Sequence, residues 1–195
     1  MTAFVLALAA GTATTYGEMA NQSKPVTEHT GPNGDRQRVD VPASELWLGS
    51  DLIVEVSVVG QGRPTDYMPA RGTESIFTTY DCRIITLFKT SDTTLAVGRT
   101  IPVRRNGGLR DRGDRFDNYR PANEFRFAEG DRYILFLRRR QWMGAEQERG
   151  VYYDETATSA STFKILGATI ETKARSSLQG TRADVLREQL RSLGR

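Results

Sequence analysis

The sequence holds one cysteine, one histidine and four lysines in 195 residues. A single thiol closes no disulfide within the chain, no Cys/His zinc module can be assembled, and sites that need two imidazoles or two thiols are excluded. No apolar run approaches the roughly 20 residues that span a bilayer as a helix. Hydrophobic residues make up 38% of the chain and the mean hydropathy is −0.49, lean for a globular domain, so part of the length is expected outside the core. A G-x-S-x-G turn, a phosphate loop and a dinucleotide fingerprint are all missing. Glu55, Asp81, Asp131, Asp154 and Glu155 carry no spacing that brings two carboxylates into one cleft. The chain therefore reads as a binding protein rather than an enzyme, with no metal or cofactor expected.

What is present instead is arginine. The formal net charge is only +3, too small to argue for nucleic acid, but it is unevenly spread. From Arg99 to Arg140 there are twelve arginines against six acids, while the rest of the chain is slightly acidic overall.

At the amino terminus Phe4 to Ala10 form a short apolar run followed by Gly11, Thr12 and Ala13. This looks like the later part of a secretory signal whose charged leader is missing. From Thr12 to about Val41 the composition is that of a linker, rich in Thr, Gly, Asn and Pro, with His29 in its middle as a solvated side chain. Residues 1–41 are thus expected to be a residual export signal and a disordered tether.

A short helix is expected near Pro42–Leu48, capped by Ser44 and ended by Gly49. A strand follows at 52–59, with Leu52, Val54, Val56 and Val58 on one face. Residues 61–73 read as a loop. In the long strand 75–89, Ile76, Thr78, Tyr80, Cys82, Ile84, Thr86 and Phe88 form the uncharged face; its length predicts a bent or bulged strand wrapping a small barrel, with Cys82 a buried apolar residue. A strand at 98–104 carries Pro102, which favours an edge. Residues 131–138 form a strand apolar on both faces and therefore central. Segments 151–153 and 162–166 supply a fifth strand or a final hairpin. A helix closes the chain at 182–193, with Thr181 as its cap and Val185, Leu186, Leu190 and Leu193 as its apolar stripe. The pattern is mainly β: a small, five-stranded antiparallel barrel.

Ser50-Asp51-Leu52-Ile53-Val54, Phe77-Thr78-Thr79-Tyr80, Gly107-Gly108 and the run Phe127 to Leu137 together resemble a group of bacterial exported proteins of unknown function. Those proteins carry an OB-fold barrel similar in topology to the netrin-like module and the tissue inhibitors of metalloproteinases. The resemblance covers roughly residues 44–166 and implies an OB-fold-like barrel within 42–195. The inhibitors act through an amino-terminal cysteine, which this chain lacks, so that activity does not carry over.

The connection between the third and fourth strands, residues 106–127, is longer and more charged than in that group. Arg104, Arg105, Arg110, Arg112, Arg115, Arg120 and Arg126 are interleaved with Phe116, Tyr119 and Phe125. Such a mixture binds anions by charge and stacks rings, unless its own aspartates neutralise it locally. Arg138-Arg139-Arg140 reads as a strand leaving for solvent. The sequence thus points to an exported binding module, periplasmic or extracellular, that takes an unknown protein partner or an anionic ligand through the basic insertion. The alternative is a cytoplasmic OB-fold protein that binds single-stranded nucleic acid, a partner disfavoured by export. No transmembrane span is expected, and the sequence leaves the oligomeric state open.

Overall fold

A computed structural model describes residues 24–30, 40–67, 75–120, 125–141, 151–174 and 176–195. The expected export signal and most of the expected tether lie outside the described residues. Among the described residues the chain runs through β1 (Val26–Thr30), α1 (Ala43–Gly49), β2 (Leu52–Val58), β3 (Arg63–Tyr67), β4 (Ser75–Thr90), β5 (Thr100–Asn106) and β6 (Gly108–Asp111). It continues through β7 (Phe116–Arg120), β8 (Arg132–Gln141), β9 (Val151–Glu155), β10 (Thr162–Leu166), β11 (Thr169–Glu171) and α2 (Ala183–Leu193).

Five of these strands close a ring in the order β2-β4-β5-β9-β8 and back to β2, an OB-fold-like barrel. Every junction is antiparallel except β5 with β9, which is parallel and rests on the single ladder position Val103 opposite Tyr153. β8 serves both as ring member and as support for the β10–β11 hairpin: residues 132–135 pair with β10 and residues 137–141 with β9. Its burial on both faces follows, as the apolar pattern predicts.

Two cores explain why β2 is buried on both sides. Leu52, Val54, Val56 and Val58 point into the barrel with Cys82, Ile84, Val103, Tyr133, Leu135 and Leu137. Ile53 points outward, where Ile134, Phe136 and Phe163 meet Leu46 of α1 and Leu186 and Leu190 of α2. Each such buried aliphatic contributes about 1.5–3 kcal/mol relative to exposure. Glu55 shares the outward face and is 1% exposed, held by Arg132 and by Arg187 of α2, whose Nε lies 2.7 Å from Oε2. Burial alone would raise its pKa, but hydrogen bonds and charge from the two arginines outweigh that and keep it below the ordinary glutamate range.

β4 is the long, bent strand expected, and two irregularities in its pairing with β2 bend it. Ile53 pairs with Lys89 but Val54 with Leu87, and Glu55 pairs with Thr86 but Val56 with Ile84, so Phe88 and Ile85 are each skipped. Each skip reverses the faces, which corrects the expected inward set. Leu87 packs against the barrel core, while Phe88 packs against the outer one.

Other expectations are revised. Neither Ser44 nor Thr181 caps its helix: Pro42 and Arg182 hold the N-cap positions, with no side-chain cap bond. On α2, Val185 and Leu193 are exposed, and Ala183 takes their place in the core beside Leu186 and Leu190. The expected loop 61–73 contains β3, which pairs with the start of β4. Pro102 sits within the ring rather than at an edge, tolerated where β5 meets β9 at one position only. The charged connection carries strands of its own. β6 and β7 form an antiparallel hairpin, and Val26–Thr30, within the expected tether, adds to β7 as the parallel strand β1.

Candidate binding site

The insertion leaves β5 through Gly107 and Gly108, whose positive φ angles (87° and 150°) turn it back across the start of β4. Gly107 N–H donates to the Ile76 carbonyl at 2.7 Å, and the Thr78 hydroxyl donates to the Gly107 carbonyl at 2.7 Å. A Cβ on Gly108 would collide with Thr78 Oγ1, so the approach demands glycine.

Beyond it, the small sheet is organised by Asp117, a carboxylate 3% exposed. Arg112 Nε donates to it at 2.8 Å and Arg115 Nε at 3.2 Å. Gly113, with φ 92°, turns the hairpin, and its N–H donates to Asp111 at 2.8 Å. Lys24 fastens the amino-terminal side: its Nζ lies 2.7 Å from Asp111 Oδ2 and 5.1 Å from the centroid of the Phe116 ring. Asn118 donates to Glu28 at 3.0 Å. The arginines here are therefore positioned by carboxylates of the same sheet, the local neutralisation that "RDRGDRFD" allows.

Two of the expected site arginines belong to the barrel seam. Alternation sends Arg104 outward and Arg105 inward from β5, and the consecutive acids of β9 meet them in step. Arg104 donates twice to Asp154 at 3.1 Å, with its guanidinium 4.3 Å from the Phe77 ring centroid and 3.8 Å from that of Tyr152. Arg105, 3% exposed, donates to Glu155 at 2.7 Å and lies 4.4 Å from the Phe127 ring centroid. The Thr162 hydroxyl also binds Glu155. These pairs join β5 to β9 where the backbone ladder is shortest, and burial removes Arg105 from contact with any solvent-borne ligand.

The remaining candidates divide. Arg110, Phe116 and Tyr119 lie on the small sheet, and Arg112 and Arg115 in the turn that joins β6 to β7. Arg120 ends β7, and its side chain lies outside the described residues. Arg126 is exposed on the path back to the barrel. Phe125, instead of facing a ligand, is buried with Phe127 against Tyr133, the Phe127 and Tyr133 rings stacking at 4.1 Å. Tyr133 in turn donates to Asp131 at 2.9 Å, which also accepts from Lys164 at 2.8 Å. Sequence reasoning missed Asp117, Lys24 and the β9 acids as organisers. The one available signal was Arg104-Arg105 against Asp154-Glu155, two like pairs at equal spacing on strands not known to be neighbours.

Cys82 is fully buried, and burial pushes its thiol up to about 12, far from a nucleophile's range. Among the described residues no three His, Cys, Asp or Glu converge as metal ligands, and no helix is long and apolar enough to cross a membrane. Comparison with protein-family models, curated proteins and solved structures finds nothing that matches this chain.

Proposed function

We propose that this chain is an exported, non-catalytic binding module that engages a protein partner through the β1-β7-β6 sheet. The observation that carries this reading is how little the sheet gives to the barrel's interior. The barrel closes without it, and among the described residues neither hydrophobic core takes one from β1, β6 or β7. A polar sheet that contributes so little to burial, yet is pinned by an internal carboxylate, is a preorganised recognition surface. Arginines already holding aspartates favour a protein, which can match both signs, over a simple anionic ligand. Export rests on the apolar run Phe4 to Ala10.

The test is a chain in which residues 109–119 are replaced by a short Gly-Ser link. Thermal unfolding should change little, while a partner captured from the native envelope by the intact chain is lost. Retention of that partner by the shortened chain overturns the site. Cell fractionation, with sequencing of the mature amino terminus, tests export.

A second reading, single-stranded nucleic acid, is favoured by one feature: the row Phe77, Arg104 and Tyr152 across the outer barrel wall. Rings and a guanidinium in such a row are what base stacking uses. It requires a cytoplasmic location and binding of single-stranded DNA that weakens steeply with salt; no fluorescence anisotropy change at low salt removes it.

A further inference from the structure

The bonds that shape the small sheet divide β1 from the hairpin beside it. The hairpin closes by itself: Arg112 and Arg115 hold Asp117, the Arg112 N–H donates to the Arg115 carbonyl at 2.8 Å, and the Gly113 N–H donates to Asp111. β1 takes part in none of these bonds. It is the outermost strand of the sheet, joined to β7 by a five-residue parallel ladder, the weaker of the two pairings per residue. The Pro25 carbonyl accepts from the Phe116 N–H at 2.9 Å, and the contacts of Lys24 with Asp111 and of Asn118 with Glu28 are exposed. Val26, the one aliphatic residue of β1, is 53% exposed instead of packed.

Exposed ion pairs contribute little, and an outermost strand with so little buried belongs to the low-stability end of a fold. β1 can therefore leave at small cost, while the hairpin keeps its own bonds. β7 then becomes an edge strand, its row of N–H and C=O groups open to an extended chain. The side chains such a chain needs are read from the β1 segment itself. Lys24 sets its ammonium on Asp111 and 5.1 Å from the Phe116 ring centroid, and Glu28, four residues on, offers its carboxylate to Asn118.

We propose that β1 is a built-in occupant of a strand-binding edge, and that the partner protein displaces it. The partner supplies an extended segment that pairs parallel with β7 and carries a lysine or arginine for Asp111 and, four residues later, a glutamate for Asn118. The inference rests on the reading of the small sheet as a recognition surface and says how that surface opens. A second copy of this chain would bring only the contacts that β1 already makes, without the advantage of attachment to the same chain. A different protein adds contacts beyond the strand, and that surplus is what displaces β1. β1 thereby sets a threshold: affinity is reduced by the fraction of chains in which it is seated.

Fluorescence anisotropy with a labelled peptide of residues 23–30 tests the edge on the full chain. The double variant Lys24→Glu, Thr27→Pro, which unfastens β1, should bind the peptide at least tenfold tighter than the parent chain, with circular dichroism unchanged. Adding Asp111→Lys to that variant should remove the gain. Equal binding by parent and unfastened chains, or a gain that survives Asp111→Lys, overturns the proposal. So does a parent chain that sediments as a dimer which the unfastened variant no longer forms, since the occupant is then a second copy. A chain with Glu28→Cys and Asn118→Cys, oxidised to lock β1 on β7, separates this inference from the reading beneath it. Partner capture should be lost on the oxidised chain and return on reduction. Capture kept by the oxidised chain overturns strand displacement alone, whereas capture kept after replacement of residues 109–119 overturns the surface itself.

Discussion

Where β5 passes into β6, arginine density is high and arginine availability is low: Arg112 and Arg115 share Asp117, while Arg104 and Arg105 hold Asp154 and Glu155. Where β8 runs out, only Arg138, Arg139 and Arg140 follow one another, yet the last two are exposed, and among the described residues Arg140 stands 3.9 Å from Asp154 while Arg139 acts on the Asp92 carboxylate through space. The excess charge counted along the sequence therefore marks where the chain builds structure with ion pairs, and the shorter run marks where charge is presented. A guanidinium whose carboxylate is buried beside it acts as a fastener. One at a strand end, its neighbours' acids already engaged, is presented to solvent.

The comparison breaks most sharply at the seam. Glu155→Ala leaves Arg105 buried without its carboxylate and should cost about 3–5 kcal/mol of global stability, read by urea unfolding; a loss below about 1 kcal/mol would mean the seam does not depend on the pair. Next is Glu55, which ties β2 and β8 to α2. Its folded pKa is depressed, so its contribution is fully present above the unfolded value and fades as the pH falls through the folded one. The stability difference between the parent chain and Glu55→Gln should be of order 2 kcal/mol at pH 7 and should shrink as the pH is lowered from about 5 toward 3. A difference independent of pH over that range contradicts the ion-pair account. Smaller and local is Asp117→Ala, expected to cost the small sheet about 1–2 kcal/mol. Amides of residues 108–119 should exchange faster while those of β2 and β8 do not, since the barrel core takes nothing from that sheet.

The barrel strands were legible because their signals are local. Alternation located β2 and β4, and apolar residues on both faces located β8 as central. The fold class followed from strand number and spacing, together with the long bent strand. Phe88 and Thr86 were misplaced because a bulge is a property of pairing, set by which residue of β2 faces which residue of β4. β1 was hidden for a similar reason: Val26–Thr30 has little apolar alternation of its own, and its pairing with β7 is defined by a partner about 90 residues away. The insertion was rightly picked out as the most charged segment, but the sequence shows charges without their distances. That Asp117 is buried and shared, or that Arg105 points inward while Arg104 points outward, depends on strand phase and on where β9 lies.

The smallest predicted effect is the most discriminating for the contrast between the two regions. If Arg139 and Arg140 only present charge, the double variant Arg139→Gln, Arg140→Gln should shift stability by less than about 0.5 kcal/mol, since exposed charges without tight partners contribute little. The matching variant in the insertion, Arg112→Gln with Arg115→Gln, removes two charged donors from a carboxylate that is 3% exposed. It should therefore destabilise the small sheet by about 1–3 kcal/mol, the cost of weakening the hydrogen bonding of a buried charged acceptor. Hydrogen exchange on the two variants side by side reads both quantities at once. Protection lost around β8 and β9 in the first would make Arg139 and Arg140 fasteners like the rest. Protection retained across β6 and β7 in the second would return Arg112 and Arg115 to the role of presented charge.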